Sequence, residues 1–320
     1  MLTVVIALAA NVAIAVLKSI VAGLTGSASM VAEAAHSWAD AGNEVFLLIA
    51  EKRAEKPADR THPLGFGREA YVWSMIAAFG LFAVGAAVSV IHGVQSLGAE
   101  EGESDYLWAY VVLGAAFVLE GISFTQARRQ VRRGAQQADV SHAKFLEITS
   151  NPTLRAVYFE DAAALVGILI AVAGLGLHQA TGEPVYDAIG SILVGILLGF
   201  VAIYLLRRNM AFLVGQIADP RAYDTVLEWL RERPEVETVS TLHLEYVGPG
   251  KVFLVGSVDL VGDDPESEAA EELQRLEDHL EERDGIARAV LSLAAPGRPP
   301  RIGHQDGSED REVDGNNAGG

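Results

Sequence analysis

Apolar and polar positions divide the chain into two regimes. Through residue 206, long apolar runs alternate with short polar stretches; beyond residue 219, apolar positions recur every second or every third to fourth residue. The long runs fall at 2–24, 31–48, 71–97, 106–126 and 186–206. A further run is entered through Asn151-Pro152-Thr153 and continues as the apolar segment 162–177. About 20 apolar residues, rising ~1.5 Å each in a helix, cover the ~30 Å hydrocarbon core of a bilayer, so the pattern predicts a bundle of six transmembrane helices. The first run lacks a basic leader, is longer than a secretory core and is soon followed by the second, so it is expected to be retained as a span. Because it begins almost at Met1, a true start upstream is expected.

Past residue 219, the segment 222–232 puts Val226, Leu227 and Leu230 on one helical face and stops at Pro234. Segments 236–247 and 252–261 alternate as strands around Gly248-Pro249-Gly250, a hairpin signal. A charged helix at 266–283 and a strand at 286–293 complete the order αββαβ, which predicts a small α+β domain with both helices on one face of one sheet. From Pro296 on, Pro, Gly, Asp and Asn dominate and disorder is expected. The expected division is a transmembrane domain, 1–216, an α+β domain, 217–295, and an acidic tail, 296–320.

Charge orients the spans. Residues 51–69 hold Lys52, Arg53, Lys56, Arg60 and Arg68, residues 128–155 hold Arg128, Arg129, Arg132, Arg133 and Lys144, and Arg207 and Arg208 close the last span. The turns after the first, third and fifth spans carry no Lys or Arg, so the positive-inside rule predicts a multi-pass cell-membrane protein with both termini in the cytoplasm. Half the residues are hydrophobic and the mean hydropathy is +0.26, which also points to a membrane protein. The net charge of −18 is uneven: residues 1–216 hold 14 Lys and Arg against 18 Asp and Glu, residues 217–320 hold 10 against 24. The second part is therefore acidic and water-exposed, which argues against nucleic acid as a partner. Cysteine is absent, so any metal must sit on His, Asp and Glu.

The run 31–48, VAEAAHSWADAGNEVFLL, departs from its apolar surroundings. Helical offsets put Glu33, His36, Asp40 and Asn43 on one face, with Glu44 beside them. Ionisable groups in a membrane helix usually point into the protein and mark an ion or proton path. His36 and Asp40, four apart, form a half-site for a divalent cation; the alternative is a polar network that only packs helices together. Other polar groups sit in the remaining runs. Lys18 can either snorkel or pair with a carboxylate of a neighbouring helix. Glu120 suits an interhelical hydrogen bond or a transport role. Glu160 and Asp161 are costly in a membrane helix without a cation, a proton or a basic partner, and complement His36 and Asp40; a helix-start role through the macrodipole is the alternative. His92, near the end of its span, is expected to be solvated.

These features together resemble the cation diffusion facilitator family. The resemblance rests on six spans, His36-Ser-Trp-Ala-Asp40 in the second, the string His62-Pro-Leu-Gly-Phe-Gly-Arg-Glu69, an acidic pair in the fifth, and an αββαβ domain, over about residues 2–295. It implies a homodimeric antiporter in the membrane that exports a divalent cation, usually zinc, in exchange for protons, with the metal held tetrahedrally between the second and fifth spans. It also implies a ferredoxin-like cytoplasmic domain that dimerises. Carried over by residue, His36 and Asp40 match the second-span ligands and Asp161 one fifth-span ligand. The other fifth-span ligand would stand where this chain has Val157. Glu160 could substitute, but as the neighbour of Asp161 it points about 100° away on a helix, so Asn43, water or Glu120 are the alternatives for the fourth ligand.

The ligand set thus comprises His36, Asp40, Asp161, Glu160 and Asn43, with Glu33, Glu44, Glu120 and Lys18 as candidate proton path or support. The cation is a substrate, with no permanent cofactor expected; zinc leads, with manganese, iron or cobalt as alternatives. In the α+β domain His243 and His279 lack ligand partners nearby in sequence. The chain contains no His-Glu-x-x-His and no third His near His36, so an intramembrane metalloenzyme is not expected. A non-transporting membrane scaffold is the other rival.

Overall fold

The structure is a computed structural model that describes residues 2–98 and 106–295. The expected acidic turn at 100–105, the tail at 296–320 and the question of an upstream start lie outside the described residues. The elements in chain order are α1 Leu2–Thr25, α2 Ala28–Ala54, α3 Glu69–Ser96, α4 Leu107–Ala138, α5 His142–Ile148, α6 Pro152–Thr181, α7 Val185–Val214, α8 Pro220–Arg231, β1 Val236–Gly248, β2 Lys251–Leu260, α9 Glu266–Glu281 and β3 Ile286–Leu293. Four of them, α3, α4, α6 and α7, are long and apolar enough to cross a membrane. The segment Asn11–Thr25 of α1 is apolar but shorter, and α2 is interrupted by its polar face.

Local chemistry sets the starts and stops. Ser27 accepts a hydrogen bond from the Met30 amide at the head of α2, and Ser141 does the same for Lys144 in α5. Asn151 caps α6 through the Leu154 amide, with Pro152 at the first turn, where its missing N–H removes no intrahelical bond. Asp139, at φ 52°, and Gly182, at φ 77°, end α4 and α6 in the left-handed conformation. Several helices run beyond their apolar segments: α4 reaches Ala138 rather than 126, and α7 reaches Val214 rather than 206. An apolar run marks where a helix can face lipid, while Arg, Gln and Asn continue the helix into polar surroundings. The basic stretch 128–155 is accordingly helical in large part. Its centre is Arg155, fully buried, whose Nε donates to the Leu146 carbonyl at 3.0 Å and whose guanidinium lies 5.0 Å from the Phe212 ring. A second nitrogen donates to the Thr149 carbonyl, so one cation ties the α5–α6 elbow to α7.

The chain divides into two compact units: residues 1–216 with 246–251, and residues 217–245 with 252–320. In the first, the tightest seam joins α3 and α7. A Cβ on Gly93 would lie 2.7 Å from Ile192 Cγ1 and 2.9 Å from the Ala188 carbonyl; a Cβ on Gly195 would lie 2.9 Å from the Ala86 carbonyl. Between them Ser191 Oγ donates to the Ser89 carbonyl at 2.8 Å. Small residues let the two backbones approach where lipid supplies no hydrophobic drive between helices. The loop from Asp59 to Glu69 is ordered by Asp59, whose carboxylate accepts from the Thr61 hydroxyl at 2.7 Å and the His62 amide at 2.7 Å. The Thr61 hydroxyl bond leads in holding the Asp59 pKa down to about 2, so its contribution is present above the ordinary carboxylate range and is lost only as pH falls towards 2.

In the second unit, the three strands are ordered β1-β2-β3, with β2 and β3 parallel, Val252 opposite Ile286 and Val258 opposite Leu293. Val226, Leu227 and Leu230 of α8 and Ala269, Leu276 and Leu280 of α9 are the buried faces of its helices. His243 and His279 are exposed.

The α3–α7 seam makes a stability prediction. Gly195→Val is expected to lower unfolding stability by about 1–3 kcal/mol through overpacking. Gly80→Ala, with nothing within 4 Å of the added carbon, serves as the control and should leave the melting temperature in detergent near wild type.

Candidate metal centre

The site is assembled from α1, α2, α4 and α6. Along α2, Glu33, His36 and Asn43 are fully buried or nearly so, and Asp40 is partly buried. His36 Nδ1 lies 3.5 Å from Asp40 Oδ1, so the pair four residues apart does meet. On α6, Glu160 and Asp161 are both buried. Their directions diverge as helical geometry requires, yet both reach the same cavity. The Asn43 amide of α2 donates to Glu160 Oε1, and Ser123 Oγ of α4 donates to Asp161 Oδ2 at 2.7 Å. The two carboxylates of the acidic pair are thus held by partners on two different helices, α2 and α4.

The cavity is about 290 Å³ and is lined by Asp40 and Glu44 of α2, Glu120 and Ser123 of α4, Glu160 and Asp161 of α6, Asn11 of α1, and Val157. The position at which the resemblance places the fourth ligand therefore faces the cavity, but with an apolar side chain. Ser123, Gln126 and Val157 also line a second cavity of about 220 Å³, which continues past Thr153 and Asn151 to Glu51, near the ends of α2 and α4 that carry basic residues. The opposite side is packed shut. Met30, Leu113, Ile168 and Leu175 form one apolar cluster, and Ser29 at the start of α2 donates its amide and hydroxyl to the Asp187 carboxylate and carbonyl at 3.3 and 2.9 Å.

Of the two alternatives for Lys18, the structure has it paired: Nζ lies 2.8 Å from Glu33 Oε2, both side chains fully buried. Asn11 of α1 faces the same cavity as Glu44. Asp40, Glu44, Glu120, Glu160 and Asp161 are thus brought to one space, His36 stands against Asp40 behind its wall, and Lys18, Glu33 and Asn43 do not line it. His92, only partly buried, lies 3.5 Å from the Ser96 hydroxyl and away from this space. Among the described residues, no three His, Asp or Glu side chains already converge as a metal cluster. Sequence reading passed over Ser123 and Gln126, since an isolated Ser or Gln near the end of an apolar run carries no distinctive signal; the three-residue steps from Glu120 to Ser123 and from Ser123 to Gln126 would have placed them beside it on one side of the helix.

Comparison with known proteins agrees with the arrangement. The cation efflux transmembrane domain model matches residues 4–214. Metal tolerance protein C4 of Arabidopsis thaliana is 36% identical over 233 residues, 73% of this chain and 51% of that protein. The human proton-coupled zinc antiporter SLC30A9, mitochondrial, is 35% identical over 238 residues, 74% of this chain and 42% of that protein. A more distant relative, the magnetosome protein MamB of Paramagnetospirillum magneticum, is 24% identical over 247 residues, 77% of this chain and 78% of that protein. The chain spans about half the length of the first two relatives, or somewhat less. With carboxylates from three helices opening on one cavity inside the matched region, the chain belongs to the cation efflux family, also called cation diffusion facilitators.

Proposed function

We propose that the protein is a proton-coupled exporter of a divalent cation, zinc first, working as a homodimer with six spans, α1 to α4, α6 and α7, and a ferredoxin-like cytoplasmic domain. The observation that carries this reading is the cavity where Asp40, Glu120, Glu160 and Asp161 meet beside His36. Asp40, His36 and Asp161 hold the cation, Glu160 or Glu120 replaces the ligand lost at Val157, and Asn43 and Ser123 orient Glu160 and Asp161 through their hydrogen bonds. Glu44 lines the entry with Asn11. Membrane lipid is the remaining partner.

Direction follows from the open side. The continuing cavity leads to the ends rich in Lys and Arg, which the positive-inside rule puts in the cytoplasm, so the arrangement suits loading from within the cell. The Ser29–Asp187 contact and the apolar cluster would close the outer side in that state. Rocking of helices between two arrangements would then expose the same ligands outside. Metal binding needs neutral imidazole and ionised carboxylates, so a proton leaves as the cation binds and returns when it is released. The oxygen-rich donor set favours a second reading for the substrate, manganese or iron(II), since a single imidazole among carboxylates suits harder cations than zinc.

Three outcomes are expected. In proteoliposomes with an acidic interior, wild type should accumulate zinc and, if the donor set governs choice, manganese or iron(II); Asp40→Ala should abolish uptake at equal expression, and wild-type rates in that variant would remove Asp40 from the site. Ser123→Ala should weaken metal affinity roughly 10–100-fold, as loss of a ligand's supporting hydrogen bond does, while the melting temperature holds. Adding zinc to weakly buffered purified protein should acidify the solution, and binding should weaken as pH falls; calorimetry in buffers of different ionisation enthalpy reads both, and zero proton release would overturn the coupling.

A further inference from the structure

Lys18 is a fully buried ammonium, and its partner Glu33 belongs to the same face of α2 as His36 and Asp40. A buried ion pair contributes little to stability beyond what apolar residues of similar size would give, so its persistence next to a cation site calls for a role. The register of the α1–α2 hairpin supplies one. Trp38 Nε1 of α2 donates to Ser19 Oγ of α1 at 3.1 Å, and Asn11 of α1 and Glu44 of α2 line the same cavity. In an antiparallel pair these two juxtapositions set the backbone of Lys18 level with positions 37 to 39 of α2. Asp40 is one to three residues from that level, within about 5 Å along the axis, whereas Glu33 is four to six residues away in the other direction, about 6–9 Å. The ammonium therefore reaches back along α2 to meet Glu33, although a carboxylate stands nearer its own level.

The resting place on Glu33 is itself constructed. Glu33 Oε1 is buried without a hydrogen bond and lies 2.7 Å from where a Cβ on Gly167 of α6 would be, so the carboxylate occupies a notch that only glycine leaves open. Asp40 Oδ1 is likewise buried and makes no hydrogen bond, its neighbour on α2 being His36, with Nδ1 3.5 Å away. Glu33 Oε2 already accepts the ammonium and the Asp40 carboxylate offers a second acceptor, and a four-carbon stem lets Lys18 change between them.

We propose that Lys18 is a tethered counter-cation for the transport site: it rests on Glu33 while the site is open for metal, and takes the Asp40 carboxylate when the metal has left, so that the emptied carrier can return through the closed state. This rests on the transport reading above and adds a positioning residue that the metal ligands do not include. A dication arriving at Asp40 displaces the ammonium to Glu33; when it departs, Lys18 covers the Asp40 charge while the returning proton settles on another of the ligands. The consequence is a separation of two transport modes. Net flux requires return of the empty carrier, whereas exchange of metal for metal across the membrane does not.

The test uses the purified full chain in proteoliposomes, with labelled zinc, and manganese in parallel. Net flux is driven by a pH gradient; exchange is measured with equal zinc on both sides and no gradient. The variants are Lys18→Met with Glu33→Gln, which removes both charges together, and Lys18→Arg, which keeps the cation. The double variant is expected to lose net flux by about tenfold or more, the order expected for removing one charge from a buried carboxylate, with exchange close to wild type and partial recovery of net flux in Lys18→Arg. Equal loss of both modes would mark the pair as structural and overturn the proposal, as would net flux unaffected by the double change. Wild type that moves neither metal in either mode would instead overturn the transport reading itself, and the proposal with it.

Discussion

A charge inside an apolar helical bundle must be met by another group, and that constraint organises the first unit of this protein. Several buried ionisable side chains take a partner from a different helix: Lys18 of α1 pairs with Glu33 of α2, Glu160 of α6 with Asn43 of α2, Asp161 of α6 with Ser123 of α4, and Asp187 of α7 with Ser29 of α2. With solvation removed, an unmet charge costs several kcal/mol, on the order of the net stability of a domain. The pairings therefore decide which helices are neighbours at least as firmly as the apolar contacts do. They also use few bonds per helix, so that a modest change at one partner can release a helix face.

The two sides of the bundle are held by different physics. On one side, small residues and main-chain contacts bring backbones together, as at Gly93, Ser191 and Gly195, and at Ser29 against Gly174 and Gly190. On the other, the walls are polar side chains around a connected cavity. Close backbone packing is either made or broken, whereas a polar wall can exchange protein hydrogen bonds for water with little net change in free energy. If the bundle opens and closes as proposed, these two kinds of contact would exchange between its sides, and Ser29–Asp187, which rests on two hydrogen bonds, is the contact that would part.

Much of this was legible in the sequence, for a reason that also sets the limit. A carboxylate or a histidine within an apolar run is conspicuous because its transfer cost is large, so His36, Asp40, Glu120, Glu160 and Asp161 stood out before any fold was known. The apolar helices α3, α4, α6 and α7 stood out for the same reason in reverse. The helix ends did not, because the hydropathy contrast reports where lipid stops and the backbone has no reason to stop there. Arg155 was hidden among basic neighbours, although it is the one that is buried; composition cannot distinguish a cation that holds an elbow from those that face solvent. Ser123 and the seam glycines are silent for a different reason: their contribution is the room they leave or the single bond they make. The pairing of Asn43 with Glu160 required knowing that α2 and α6 are neighbours.

Val157 bears directly on the proposed metal site. An apolar residue faces the cavity where a ligand would complete a tetrahedral site, while the acidic residues around it remain. Removing one donor from a tetrahedral nitrogen-and-oxygen set leaves either an incomplete zinc site or one that recruits a further carboxylate, and the carboxylates available belong to a third helix, α4. A ligand drawn from α4 makes the site's geometry depend on the separation of α4 from α6, which the Ser123–Asp161 bond sets at present. Selectivity in such a site would be governed by helix spacing as well as by donor type: a larger cation with a flexible coordination shell tolerates a wider gap than zinc does. On the proposed reading, the apolar residue at 157 shifts control of the metal from one helix face to the relation between α4 and α6.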